Sequence, residues 1–301
     1  MNVLILHTVP PAITPDDRCS YEFELEESAN GIRAVLPDAI AMGVRGEPSE
    51  IIAAVNQVRP DVIFNLCEAP LGEPRLESHA AALFEWLGVP FTGSGSEALA
   101  LCRRKDLVRA VLGAAGVPIP RADVFPCIVK PADEDGSAGI YTDSVCRNAV
   151  ELARAIERVK GPALREEFLP GREFAVSLWG RTEPEYAAVG EIIYEGGVQL
   201  LTYEGKWDIN SYDYLNTPLV YGEVDPELHD SLVDVAKRAW RATGLRGYAS
   251  LDLRLNSEGT PCVLDVNPNP ALNPGVRIYR AAEESGWTWK QFVEQQIVWA
   301  L

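Results

Sequence analysis

Apolar and polar positions change period several times along the chain, and the changes outline alternating strands and helices. Asn2 to His7 and Asp61 to Leu66 are short, nearly continuous apolar runs, which suit strands covered on both faces. Ser49 to Val58 and Leu76 to Leu87 carry helical patterns, so the first part of the chain reads as an open α/β layer. A second region begins near Ser96, with a helix expected around Lys105 to Ala115, a strand at Cys127 to Lys130 and a helix over Asn148 to Val159. In a third region, strands are expected at Glu173 to Trp179 and Glu185 to Tyr194, followed by a helix from Pro226 to Thr243. On that helix Leu228, Leu232, Val235, Ala239 and Trp240 form one apolar stripe. Leu201 to Asp225, rich in Tyr, Asn and Asp, is expected to be a mobile loop. There are no internal repeats or low-complexity tracts.

The segment Tyr248 to Asn267 adds chemistry to this outline. It predicts two strands joined by the turn Asn256-Ser-Glu-Gly259. Leu251, Leu253 and Leu255 share one face of the first strand, so Asp252 points the other way; Asp265 and Asn267 share a face of the second. An acid opposite Asp-x-Asn suits Mg²⁺, which takes carboxylate and amide oxygens, keeps some waters and completes its shell with substrate phosphates. An edge hairpin with its polar side in water would show the same pattern, so the reading depends on what the rest of the chain supplies.

Composition narrows the classes. The 301 residues carry a net charge of −17, with 44 acidic against 27 basic side chains, which argues against a general nucleic-acid binder. Hydrophobic content of 47% and charged content of 24% are ordinary for a globular protein of two or three small domains. There is no long apolar span and no charged-then-apolar leader, since Met1 to His7 is short and lacks basic flanks; a cytoplasmic enzyme is expected. The six cysteines form no Cys-x-x-Cys pair, which favours reduced thiols over a zinc site or a disulfide framework, with Cys127 and Cys262 in the core.

Gly93-Ser-Gly95-Ser-Glu-Ala98 matches the dinucleotide pattern G-x-G-x-x-A ahead of a helix. That pattern requires an acid at the end of a second strand about 20 residues on. The chain there runs Gly113-Ala-Ala-Gly116-Val-Pro118, a helix exit, so an NAD site is disfavoured. The phosphate loop G-x-x-x-x-G-K-[ST] is absent.

In order along the chain, Lys130-Pro131, Gly136-Ser-Ala-Gly139, Glu166-Glu-Phe-Leu-Pro-Gly-Arg-Glu173 and Asp265-Val-Asn267-Pro268 resemble the motifs of the ATP-grasp superfamily, and within it the D-alanine–D-alanine ligase group. Phe64-Asn-Leu66, Gly72-Glu73 and Gly88 to Gly95 are similar to that group's N-terminal domain and its exit, which makes the Gly93 segment an interdomain turn. The likeness runs from about Asp61 to Gly275.

The resemblance implies an ATP-grasp fold of three α/β subdomains, over residues 1–95, 96–165 and 166–301, with ATP between the second and third. It implies that Lys105 and Lys130 contact phosphates and that Gly136 to Gly139, with Ser137, lies over the triphosphate. Glu166, Glu167, Phe168 and Leu169 would form the adenine hinge, and Glu173 would bind ribose hydroxyls. Lys206, on a mobile loop, would be another phosphate lysine, so Lys130, Lys206 and Ser137 stand nearest the chemistry. Asp252, Asp265 and Asn267 would hold two Mg²⁺, replaceable by Mn²⁺. The activity implied is an ATP-dependent carboxylate–amine ligase: a carboxylate attacks the γ-phosphate, an acylphosphate forms, and an amine displaces phosphate. The partners implied are small amino-acid-like substrates and a second copy of the chain in a homodimer.

The chain departs from the group at several positions. Relatives carry an arginine two residues before the first metal acid, where this chain has Ser250. Asp265 stands where they use glutamate, and Asn267-Pro-Asn269-Pro-Ala271-Leu-Asn273-Pro274-Gly275 replaces their substrate-holding run. The acids Asp133, Glu134 and Asp135 are unexpected beside phosphates. Arg277 or Arg280 could hold a substrate carboxylate, and the N-terminal acid that grips the first amino acid could be Glu22 or another between Asp16 and Glu27. A small-molecule kinase on the same scaffold and a nucleotide-binding module without turnover are the alternatives.

Overall fold

The N-terminal layer is built from Val3–Thr8 (β1), Tyr21–Val35 (α1), Ile40–Val44 (β2), Pro48–Val58 (α2), Val62–Leu66 (β3) and Glu77–Leu87 (α3). This computed structural model describes residues 1–9, 21–134, 137, 139–195, 199–202, 205 and 210–301, with backbone alone over 21–24. The three strands are parallel in the order β2-β1-β3. Every residue of β1 is buried because the sheet is covered on both sides. Leu4 and Leu6 pack against α2 and α3, whereas Val3 and Ile5 meet α1 and the C-terminal helices. Phe91 adds a single parallel bridge to Ile63 at the exit from this layer.

Next come Ser96–Cys102 (α4), Lys105–Ala114 (α5), Cys127–Pro131 (β4), Val145–Cys146 (β5), Ala149–Arg158 (α6) and Ala163–Glu167 (β6). Strands β5, β4 and β6 form a small antiparallel sheet with its own core of Cys127, Val129, Cys146 and Ala155. Helix α6 starts where expected because the Asn148 side chain accepts hydrogen bonds from the Val150 and Glu151 amides. The expected boundary between residues 165 and 166 falls inside β6, and β6 pairs with β4 throughout. Helices α4 and α5 pack away from this small sheet: Ala98, Cys102, Val108 and Leu112 join the core of the large one.

That large sheet is antiparallel, in the order β11-β10-β7-β8-β9. Its elements are Glu173–Gly180 (β7), Tyr186–Ile192 (β8), Tyr212–Leu215 (α7), Leu219–Val220 (β9), Pro226–Thr243 (α8), Gly247–Leu255 (β10), Pro261–Asn267 (β11), Arg277–Glu284 (α9) and Trp289–Ala300 (α10). Helix α8 has the bounds read from the sequence. Asp225 caps it, Pro226 opens it, and Gly244 at φ 69° closes it. Its stripe of Leu232, Val235, Ala236, Ala239 and Trp240 is buried on the sheet. The segment Leu201 to Asp225, expected as a loop, contains α7 and β9; β9 adds to the sheet edge through Glu191 and Ile192.

The opposite face of the large sheet presents Trp179 and Tyr248 to α9, α10 and the N-terminal layer in one continuous core with Phe64 and Phe292. The Gly93 turn sits against this junction. The Ser94 hydroxyl donates to the Arg246 carbonyl, and the Arg246 guanidinium donates to the Phe91 carbonyl. A side chain at Gly247 would stand 3.0 Å from the Gly93 backbone, so only glycine permits this approach. The segment matching the dinucleotide pattern is therefore packed between layers.

Cys67, Cys127, Cys146 and Cys262 are free and, like Cys102, buried. Burial, aided by neighbouring Cys127, pushes the Cys146 thiol up to about 11, and burial likewise takes Cys262 to about 11. Among the described residues, no helix is long and apolar enough to cross a membrane.

Candidate active site

The small and large sheets face each other across a cleft, and β10 carries the chemistry to its floor. Residues Ala249, Leu251 and Leu253 of this strand enter the core. By the period of two, Ser250, Asp252 and Arg254 take the other face. Asp252 and Arg254 line the cleft, together with Lys105, Lys130 and Asp265.

Strand β11 does not follow the simple alternation. The pairing steps from Asp252↔Asp265 to Leu253↔Val263, leaving Leu264 as an extra residue. Val263 and Val266 are both core residues, three apart, and Leu264 and Asp265 both reach the cleft. The bulge also leaves the Leu264 carbonyl outside the ladder, where it accepts a hydrogen bond from Lys130 Nζ at 3.1 Å. The irregularity thus ties the large sheet to β4 at the edge of the cleft.

Lys130 and Lys105 both come to the cleft, as read from the sequence, and each is held by an acid or a carbonyl. Lys130 Nζ lies 2.5 Å from Glu166 Oε2, with both side chains almost wholly buried. Glu166 Oε1 accepts from Arg109 Nη1 at 2.6 Å, so one carboxylate is clamped between two cations. Lys105 Nζ donates to the Glu134 carbonyl at 2.6 Å and stands 3.6 Å from Asp265 Oδ1. That bond holds the unexpected Glu134 at the cleft by its backbone. Ser137 lines the cleft at φ 62°, and Gly139 turns at φ 75° where a Cβ would meet Pro131 Cγ at 2.7 Å. Gly136, Ala138 and Lys206 lie outside the described residues.

At the hinge, the Glu167 N–H donates to the Arg121 carbonyl and the Phe168 N–H to the Pro126 carbonyl. The Leu169 N–H finds no acceptor among the described residues, although Leu169 is buried and lines the cleft. Arg121 grips Glu167 with two guanidinium bonds, at 2.6 and 2.8 Å, and these hold the Glu167 carboxyl below the usual range. A carboxyl with a lowered pKa in the folded state stabilises the fold fully above its ordinary pKa, about 4.3, and ceases to do so as pH falls through the lowered value. The Arg121→Ala variant is accordingly expected to melt a few degrees below the parent at pH 7, with the gap closing in acid below pH 4; thermal melts across pH 2 to 7 check this.

Glu173 pairs across strands with Arg254, its Oε2 accepting from Arg254 Nη1 at 3.1 Å and from the Tyr194 hydroxyl at 2.7 Å. Burial first, and the Glu173 charge second, push the Tyr194 phenol far above its ordinary pKa. Arg254 also donates to the carbonyls of Gly171 and Gln199 and stacks on the Phe168 and Tyr194 rings. Sequence reasoning did not single out Arg254, Tyr194 or Arg109. For Arg254 a signal existed, since it shares the face of Asp252 by alternation; Arg109 and Tyr194 are brought in only by folding.

Beyond the two acids the cleft continues into a second cavity of about 440 Å³, also lined by Asp252 and Asp265 and bordered by Glu77, Ser250, Asn267 and Arg277. Asn267 Oδ1 accepts from the Asn269 N–H, and the Asn269 amide donates to Glu77 Oε1 at 2.7 Å. Tyr248 donates in turn to Asn269 Oδ1 at 2.9 Å. Glu77, from the N-terminal layer, is thus an acid at this cavity that sequence reasoning did not single out. The side chains of Glu22 and its neighbours to Glu24 lie outside the described residues. Arg277 reaches Ser250 Oγ at 2.9 Å and Asp252 Oδ1 at 2.5 Å. Burial opposes its charge, but Asp252 outweighs that, and the guanidinium pKa sits above its ordinary value. Arg280 points elsewhere, donating to the Leu219 carbonyl and stacking on Tyr221.

The oxygens of Asp252, Asp265 and Asn267 are hard donors on adjoining strand positions, a set that fits a divalent cation completed by phosphates and water. Among the described residues no group of three or more His, Cys, Asp or Glu side chains could hold a metal, so the amide oxygen and substrate oxygens would be needed.

A cleft between two antiparallel sheets, with paired lysines on one side and an acid hairpin on the other, defines an ATP-grasp ligase. The family model described as D-ala D-ala ligase C-terminus matches residues 117–298, and the chain belongs to that family. An uncharacterized protein of Sinorhizobium fredii is 30% identical over 77% of this chain and 72% of its own. D-alanine–D-alanine ligases of Gluconobacter oxydans and Desulforudis audaxviator are 27% and 29% identical, over 92% and 91% of this chain and 92% and 94% of theirs. The crystal structure of D-alanine–D-alanine ligase from Bacillus anthracis complexed with ATP superposes with a TM-score of 0.76 at 16% identity, covering 100% of this chain and 97% of that one.

Proposed function

We propose that this ligase joins the carboxylate of one small amino-acid-like molecule to the amine of another, with ATP in the cleft between the small and large sheets. The observation that carries this reading is the continuity of two spaces through Asp252 and Asp265, which line both the nucleotide cleft and the second cavity. Phosphates lying against Lys105 and Lys130 would present the γ-phosphorus at this junction, and a carboxylate in the second cavity would meet it there. Leu169, whose N–H has no acceptor among the described residues, suits the adenine edge, and Glu173, held by Arg254 and Tyr194, suits a ribose hydroxyl.

Asp252, Asp265 and Asn267 would hold Mg²⁺, whose contribution when bound is to neutralise charge on the phosphate oxygens. The substrate carboxylate oxygen bonds to the γ-phosphorus as the bond to ADP breaks, and ADP leaves with that electron pair. The amine nitrogen, as the free base, then bonds to the acyl carbon; the carbon–oxygen bond to phosphate breaks and the nitrogen's surplus proton leaves with the departing phosphate. Lys105 and Lys130 stabilise charge on the transferring group, Lys130 aimed by the buried Glu166 carboxylate and Lys105 by the Glu134 carbonyl. Glu77 at the cavity rim suits a substrate ammonium.

ADP release with Mg·ATP, measured against D- and L-amino acids singly and in pairs, tests the proposal. Turnover that requires two amino acids is expected, with hydroxylamine trapping an acyl hydroxamate from the first. ADP release with one substrate, a stable phosphorylated product and no hydroxamate would replace the ligase reading with a kinase.

A further inference from the structure

Arg277 is placed where helix stability gives no reason for it. It is the first residue of α9, at the end of the helix where a positive charge is disfavoured. Its guanidinium nevertheless folds back under the second cavity to touch Ser250 and Asp252, neighbours on the cleft face of β10. Asp252 faces Asp265 directly across the hairpin, and like charges in that position repel. Arg277 at Asp252 and Lys105 near Asp265 offset the repulsion.

We propose that Arg277 is the residue that binds the anionic oxygen of the reacting acyl group, and that Asp252 holds it aside until a divalent cation takes that carboxylate. The inference rests on the ligase reading given above. A cation coordinated by Asp252 and Asp265 would stand beside the guanidinium and repel it, leaving Ser250 Oγ as one partner and opening the fork toward the second cavity. The oxygen that becomes negative when the amine attacks the acyl carbon would lie at this junction, beside a partly buried group fixed at its base by α9. Metal, nucleotide and guanidinium are thereby coupled: the arginine becomes available only once the phosphates and cation are in place. The small side chain at position 250 is what makes room, since Ser250 is itself buried and its hydroxyl accepts from Arg277.

Two measurements on the full chain test this. Side-chain ¹⁵N spectra of the arginine guanidinium groups, with the Arg277 signal assigned by loss in Arg277→Lys, are recorded with a non-hydrolysable ATP analogue before and after Mg²⁺. The Arg277 signal is expected to shift on addition of Mg²⁺ with the analogue, and to stay in place with the analogue alone. In turnover, Arg277→Ala is expected to lower kcat at least a hundredfold while the affinity for the ATP analogue changes less than threefold. The double variant Ser250→Arg with Arg277→Ser, which returns the guanidinium to the cleft from the strand side, is expected to recover tenfold or more over the single loss. An Arg277 signal that does not move while Mg²⁺ and the analogue bind, or an Arg277→Ala enzyme with near-parent kcat, overturns the inference and leaves the ligase reading intact. Failure of the parent to bind the analogue overturns both.

Discussion

Replacing Asp265 with asparagine is expected to reduce ADP release by roughly 10³-fold, about 4 kcal/mol of transition-state stabilisation, without lowering thermal stability. The change is nearly isosteric and removes one charge from an acid pair that faces itself across the hairpin. The lost attraction to Lys105, at 3.6 Å, is balanced by relief of the repulsion from Asp252, and Lys105 keeps the Glu134 carbonyl at 2.6 Å. The melting temperature therefore holds or rises while activity collapses. Parallel ADP assays and thermal melts decide it. Retention of a tenth or more of parent activity would remove Asp265 from the cation site, and a fall in melting temperature would make it a structural acid.

Glu166→Ala is expected to act in the opposite order, on stability first. The carboxylate is 1% exposed and accepts from Arg109 while lying 2.5 Å from Lys130. Removing it leaves two cations buried close together with no counter-charge, a loss of about 3–5 kcal/mol. Lys130 would keep the Leu264 carbonyl, and Arg109 the Pro120 carbonyl, but neither carries a full negative charge. Urea unfolding is expected to show the midpoint falling by this loss divided by the slope, with the slope unchanged. Nucleotide affinity is expected to weaken as well, since Lys130 would no longer be fixed at the cleft wall. A variant as stable as the parent would mean that water reaches the pair and that the clamp is not a buried one.

These two acids also show how differently the sequence exposed its information. Asp265 was legible because a strand has a period of two and magnesium chemistry asks for hard oxygens at that spacing. Glu166 was legible only as part of a hinge motif. Its role as the counter-ion of Lys130 requires β6 to lie beside β4 and α5 to bring Arg109 over the top, which no local pattern specifies. The helix over Pro226–Thr243 was readable to the residue, because its cap, opening proline and closing glycine are all local signals. Strand β9 and helix α7 were not, because each is short and depends on an existing sheet edge or cap.

By itself, then, the sequence determined the alternating α/β architecture and the acid hairpin, which depend on neighbours within a turn or strand, while its motifs pointed to the cleft lysines only through their resemblance to a family. Tertiary structure alone decided which charges meet. The bulge at Leu264 turns a carbonyl to Lys130, Arg254 pairs with Glu173 across two strands, and Glu77 arrives from the N-terminal layer. Arg277 reaches Asp252 from 25 residues away, on a different element. Charge pairing depends on distance through space, and the chain encodes that distance only through the packing of its cores.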